Sequence, residues 1–157
     1  MNQEQISECI LKTTRNLLRP IEDMTLFAAE ALVKKVKKKA TEMGVNAVVA
    51  ITNRGSNLIL LEAMDDSYIA SVDIAIKKAY TVVALKMSTK ELSSLANPNG
   101  SLYGIQFTNN NKICIFGGGD TLTNEKGCII GGVGVSGGSE EQDTLLSKYA
   151  KEVFESL

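Results

Sequence analysis

Residues 131–143, GGVGVSGGSEEQD, place Gly132, Gly134 and Gly137 in the G-x-G-x-x-G spacing that lets a backbone approach a pyrophosphate. A dinucleotide fingerprint also needs a second parallel strand beyond its helix, and an acid about 20 positions on to receive the ribose. The sequence stops at Leu157, directly after the helix expected to follow the glycines, so a dinucleotide site is not expected. A P-loop fails sooner, because no Lys-Ser or Lys-Thr follows the glycines. Ser139 and Gln142 instead have the spacing of a capping box that starts a helix. Glu140, Glu141 and Asp143 suit the positive end of that helix and compete there with any incoming phosphate. The glycines then serve either the close approach of another backbone or contact with a flat ligand. On the second reading Gly132, Gly134, Ser136 and Gly137 are ligand-binding candidates; on the first, Ser136 satisfies the backbone where a strand ends.

Other chemistry-bearing residues are few. Lys78 could meet a carboxylate of a ligand, or form a structural ion pair with Asp143 that fastens one helix to another. Met64 could act as a soft ligand beside Asp65, or as a core methionine at the end of a strand. Asp65, Asp66 and Asp73 form no oxygen cage and have no second catalytic group beside them, so neither a metal site nor a catalytic residue is assigned. The chain has no histidine. That removes the usual general base, the commonest metal ligand and every Ser-His or Cys-His arrangement. Cys9, Cys114 and Cys128 are expected to be free thiols, with a redox or ligand role for Cys114 and Cys128, facing each other across a hairpin, as the alternative.

The elements that must position these residues follow from periodicity. Ile6, Ile10, Thr13 and Leu17 share one face of a helix over residues 3–18, which Pro20 stops. A second helix runs from about Thr25, its cap, to Met43, with Ala29, Leu32, Val36, Ala40 and Met43 inward and Gly44 at its end. Its five lysines between 34 and 39 read as a solvated face. Residues 45–64 read as a hairpin around a polar turn. A third helix from about Ser67 to Met87 turns Ile69, Val72, Ile76, Ala79, Tyr80 and Val83 inward. Ser88 and Glu91 then open a short helix, residues 112–136 make a second hairpin, and Glu140 to Leu157 close the chain as a helix. The order α-α-β-β-α-β-β-α implies an α+β fold, an antiparallel sheet covered by helices, in one domain over 1–157. A net charge of -1 offers no general attraction to nucleic acid or to anionic membranes. With neither a membrane-spanning run nor a signal sequence, the chain is expected in the cytoplasm.

The run from Gly131 to Gly138, followed by Gln142 and Asp143, resembles the glycine-rich signature of the GlcG/HbpS-like proteins, a domain also found at the C-terminal end of PduO-type proteins. Asp73, Ala75, Lys78 and Ala79 match the family's D-x-A-x-x-K-A helix, Leu58 to Asp65 resembles its L-x-x-x-x-R-M-D strand, and Gly117 to Gly119 its glycine bend. The resemblance spans about residues 26–150; the first helix, over about 1–20, lies outside it. It implies an antiparallel sheet of about five strands and assembly as a homo-oligomer. It also implies a small non-enzymatic binding protein for haem, a corrinoid or another flat ligand. The alternative is a ligand-free accessory protein of a metabolic operon or microcompartment. A minor enzyme acting on a small carboxylate is a weaker third reading. The adenosyltransferase activity of PduO-type proteins belongs to their separate N-terminal domain and is not expected of this one. Ala63 replaces the family's arginine and Gly119-Asp120 its proline. Without histidine, an axial ligand to haem would come from Met64, Tyr68, Tyr103, Lys78 or a cysteine.

Overall fold

The computed structural model describes residues 22–156, together with Gln3 and residues 5–7. The helix expected over 3–18, and Cys9 with it, lies almost wholly outside these residues. From residue 22 on, the elements are α1 (Leu26–Glu42), β1 (Val48–Asn53), β2 (Leu58–Ala63), α2 (Ile69–Leu85), α3 (Thr89–Ala96), β3 (Gly119–Thr123), β4 (Ile129–Ser136) and α4 (Glu140–Glu155). This is the expected order. No helix among the described residues is long and apolar enough to cross a membrane.

Local chemistry accounts for most boundaries. Thr25 caps α1 by accepting the Ala28 N–H, and Gly44 turns the chain at φ +68°. Ser88 accepts the Glu91 N–H at the start of α3. Ser139 and Gln142 form a complete capping box at α4, each satisfying the other's backbone N–H.

The strands form one antiparallel sheet in the order β2-β1-β4-β3. It has four strands, not about five, and β3 starts at Gly119, not at Lys112. The apolar segment Ile113–Phe116 is not a strand because its polar and apolar groups are satisfied elsewhere. Cys114 N–H donates to the Thr81 hydroxyl at 2.9 Å, while Ile113 packs with Leu92 and Ala96 of α3. Gly118, at φ +113°, then bends the chain into the sheet. Cys114 is therefore buried ahead of β3, and Cys128 is exposed in the turn before β4. Both are free, and they do not face each other across the hairpin.

Alternation along β4 divides the core. Val133 and Val135 join Val49 and Ile51 against α1 and α4, where Leu32, Val36, Leu146 and Phe154 complete the main cluster. Gly132 and Gly134 point to the opposite face, where Val48 and Ala50 meet Ala75 and Ala79 of α2. The buried side of α2 is Ser71, Ala75, Lys78, Ala79, Thr81, Val82 and Val83. Ile69, expected to point inward, is 95% exposed, and Val72, Ile76 and Tyr80 are only half-buried. A glycine strand selects small residues on the helix that covers it, so the helix is rotated away from its largest apolar side chains.

Candidate functional site

Lys78 points from α2 into the protein and has no exposed surface. Its ammonium donates to the Val135 carbonyl and to Asp143 Oδ2, both at 2.8 Å, and lies 5.0 Å from the Phe116 ring centroid. Asp143 comes from the first turn of α4, and its other oxygen accepts the Gly138 N–H at 2.9 Å. This buried pair ties α2, β4 and α4 together with both charges hydrogen-bonded, the condition under which buried ions are tolerated. A β-carbon on Gly118 would lie 2.6 Å from the Lys78 nitrogen, so the glycine bend makes room for the ammonium.

The other candidates on this side are likewise occupied by the fold. A β-carbon on Gly134 would overlap the Ala75 carbonyl oxygen, and one on Gly132 would sit 2.6 Å from that of Ala79. Both glycines are covered by the backbone of α2 and present no surface to a ligand. Ser136 donates to the Ser71 hydroxyl at 3.0 Å in a buried contact. Met64 donates its N–H to Ala47 at 3.0 Å and packs its side chain on the main core. Asp120, which stands where the family has its proline region, accepts from Ser147 at 2.7 Å. Burial pushes the Asp120 carboxyl above its ordinary range, against the opposing pull of Ser147, Lys151 and Lys148. Burial likewise raises the Cys114 thiol. Among the described residues no three His, Cys, Asp or Glu side chains could hold a metal ion.

Of the ligand candidates, Gly137 lines a cleft. Three turns meet at one end of the sheet, where Val48 is flanked by Ala63 of β2 and Ser136 of β4. Gly44 to Asn46 follow α1, Asp66 and Tyr68 follow β2, and Gly137 to Ser139 with Gln142 open α4. They enclose a cleft of about 460 Å³, within the range of about 300–1,000 Å³ usual for small-molecule sites. Gly44, Asp66 and Gly137 all have positive φ; a β-carbon on Gly44 would meet open space, whereas one on Gly137 would overlap the Asn46 carbonyl oxygen. Asn46, Asp66 and Tyr68 had no periodic signal to single them out. The available clue was the clustering of turn residues at three strand ends that antiparallel pairing brings together.

The cleft is polar but is not an anion site. Ser139 and Gln142 satisfy each other's backbone N–H. Glu141 is held below the usual carboxylate range first by its own backbone N–H, and then by Ser139. Glu140 is lowered by the Gly117 N–H at 3.0 Å, then by Lys90 at 3.1 Å. The positive end of α4 is thus taken by its own acids. Tyr68 contributes a phenol and Asp66 a carboxylate to the lining, both hard oxygen donors; Tyr68 is 71% exposed and precedes the fully projecting Ile69.

A family profile described as "Haem degrading protein HbpS-like" matches residues 24–152. An uncharacterized 15.0 kDa protein of the dhaT-dhaS intergenic region of Citrobacter freundii is 42% identical over 90% of this chain and 99% of its own length. The corrinoid adenosyltransferase PduO of Citrobacter freundii is 34% identical, over 83% of this chain but only 39% of that protein. Among solved structures, PduOC in complex with haem is 34% identical with a TM-score of 0.78, covering 83% of this chain and 94% of that one. The glycine strand, the lysine-bearing helix and the sheet order lie within the matched span, and the chain belongs to the HbpS-like family.

Proposed function

We propose that this domain is a cytoplasmic, homo-oligomeric binding protein that holds a flat tetrapyrrole-class ligand, haem or a corrinoid, without transforming it. The ligand class rests on the haem complex of the 34% identical PduOC. The position assigned is the cleft at the sheet end, because the glycine face first considered is filled by α2.

The side chains fit haem through its iron. Lys78 is committed to Asp143, Met64 packs on the core and Cys114 is buried. Tyr103 and Cys128 are exposed but lie outside the cleft. Among the described residues, Tyr68 is the axial-ligand candidate that lines the cleft. Bound there, haem would supply an iron that accepts a phenolate oxygen, the ligation used by catalases. Asn46 and Gln142 offer amide hydrogen bonds, and Ile69 offers apolar surface beside the rim. The lining contains no Lys or Arg, so the acidic tails of the ligand face solvent.

The second reading, a ligand-free accessory protein of a metabolic operon, is favoured by the 42% identical relative known by its place between dhaT and dhaS. Absorbance titration of untagged protein with haemin, and separately with cobalamin, decides between the two. A saturable spectral change at one ligand per chain supports binding. A change no larger than that given by an unrelated protein supports the accessory role.

A further inference from the structure

The turn Asn97-Pro98-Asn99-Gly100 carries the chain out of α3. The Asn97 carbonyl accepts the Gly100 N–H at 2.8 Å, and Pro98 is the first of the two central residues, as suits its fixed φ. Asn97 Oδ1 accepts the Asn99 N–H at 3.0 Å. Asn99 is exposed, and its carboxamide makes no hydrogen bond among the described residues. It is also the one asparagine of the sequence that precedes a glycine. Asparagines in other turns are tied down: Asn53 Oδ1 accepts the Gly55 and Asn57 N–H groups, and Asn109 Oδ1 accepts the Tyr80 hydroxyl.

Packing imposes the glycine at 100. A β-carbon there would overlap the Leu95 carbonyl oxygen, which itself accepts the Leu102 N–H at 2.9 Å. The amide nitrogen that follows Asn99 is therefore left without a side chain to shield it. Leu102 and Ile105 pack with Leu92 and Ala96 of α3, so this turn sets the course of the segment beyond it.

We infer that Asn99 is a site of spontaneous, succinimide-mediated modification. The Gly100 nitrogen gives up its proton and attacks Asn99 Cγ. The new C–N bond closes the succinimide ring, and the Cγ–Nδ2 bond breaks to release ammonia. Water then opens the ring, with nothing oxidised or reduced. Opening at Cγ gives aspartate in an unchanged backbone. Opening at the backbone carbonyl gives isoaspartate, whose main chain runs through Cγ and is lengthened by the side-chain methylene. The Gly100 N–H must first leave the Asn97 carbonyl, so the closed turn slows the attack and local opening sets its rate. The two products act differently on the fold. Aspartate adds an exposed charge, the first acid between Glu91 and Asp120. Isoaspartate displaces Gly100, which has no room against Leu95, and loosens Leu102 from its cluster.

The test ages wild type and Asn99→Gln in warm neutral buffer, native and in urea, and maps the peptides by mass spectrometry. Wild type should accumulate aspartate and isoaspartate at Asn99 before any other asparagine, about tenfold more slowly native than in urea because the turn must open. Asn99→Gln, whose larger ring closes slowly, should keep its side chain. The isoaspartyl fraction, once separated, should melt below wild type and exchange its Leu102 amide faster, while Asn99→Asp keeps both at wild-type values. An Asn99 that outlasts the other asparagines in aged native protein would overturn the site. Equal rates native and in urea would overturn the control by the turn, and an isoaspartyl fraction that melts as wild type does would overturn the effect on packing.

Discussion

Lys78 and Asp143 are a lysine and an aspartate almost without solvent contact, and each is tolerated only because the other is there. Removing one partner leaves a buried charge unpaired. Lys78→Met or Asp143→Ala should therefore lower the unfolding free energy by about 3–5 kcal/mol, measured by urea denaturation. The double variant Lys78→Met/Asp143→Leu should recover a large part of that loss. Asp120 makes a different prediction. Its carboxyl is raised by burial, so the folded state holds the proton more tightly than the unfolded chain does. That contribution is complete below the unfolded value of 3.8 and disappears as pH rises through the raised folded value. Asp120→Asn, which keeps an acceptor for Ser147, should flatten the melting temperature between mildly acidic and neutral pH and raise it at neutral pH. The sequence showed the types of these residues. What it could not show was that α2, β4 and α4 would close over them, because burial depends on contacts across 65 residues of chain.

The pairing of β4 with α2 explains why so much glycine occupies one strand. Valines at 133 and 135 fill the main core while glycines at 132 and 134 admit the helix, so alternation gives one strand two unlike faces. Gly134→Ala drives a methyl group into the Ala75 carbonyl and should cost about 3 kcal/mol or more, read as a lower midpoint in thermal or urea unfolding. Loss of ligand affinity at unchanged stability would show instead that the glycine face is a binding surface. Caps were legible because they are local: Thr25, Ser88 and Ser139 each act within three residues. The inward face of α2 was not, because periodicity favours large apolar residues and the glycine strand reverses that preference. Residues 113–116 were misread for a related reason. A short apolar run packs equally well as a strand or as an irregular segment beneath a helix, and the Thr81 hydroxyl settles the choice.

Antiparallel pairing sends three turns to one end of the sheet, and the cleft lies where they meet. No single stretch of sequence spells this cleft, whereas the four-motif resemblance across most of the chain carried the fold. The architecture places its buried charges in the service of packing and leaves the phenol of Tyr68 in the open. The most direct measurement is a haemin titration of untagged wild type and Tyr68→Phe, followed by absorbance and electron paramagnetic resonance. Tyr68 is 71% exposed, so its variant should melt as wild type does. The account predicts saturable binding to wild type with a ferric, phenolate-ligated spectrum, and loss of that signature with an affinity lowered about tenfold, or roughly 1.4 kcal/mol, in Tyr68→Phe. Identical spectra and affinities for the two proteins, or no binding by wild type, would contradict it.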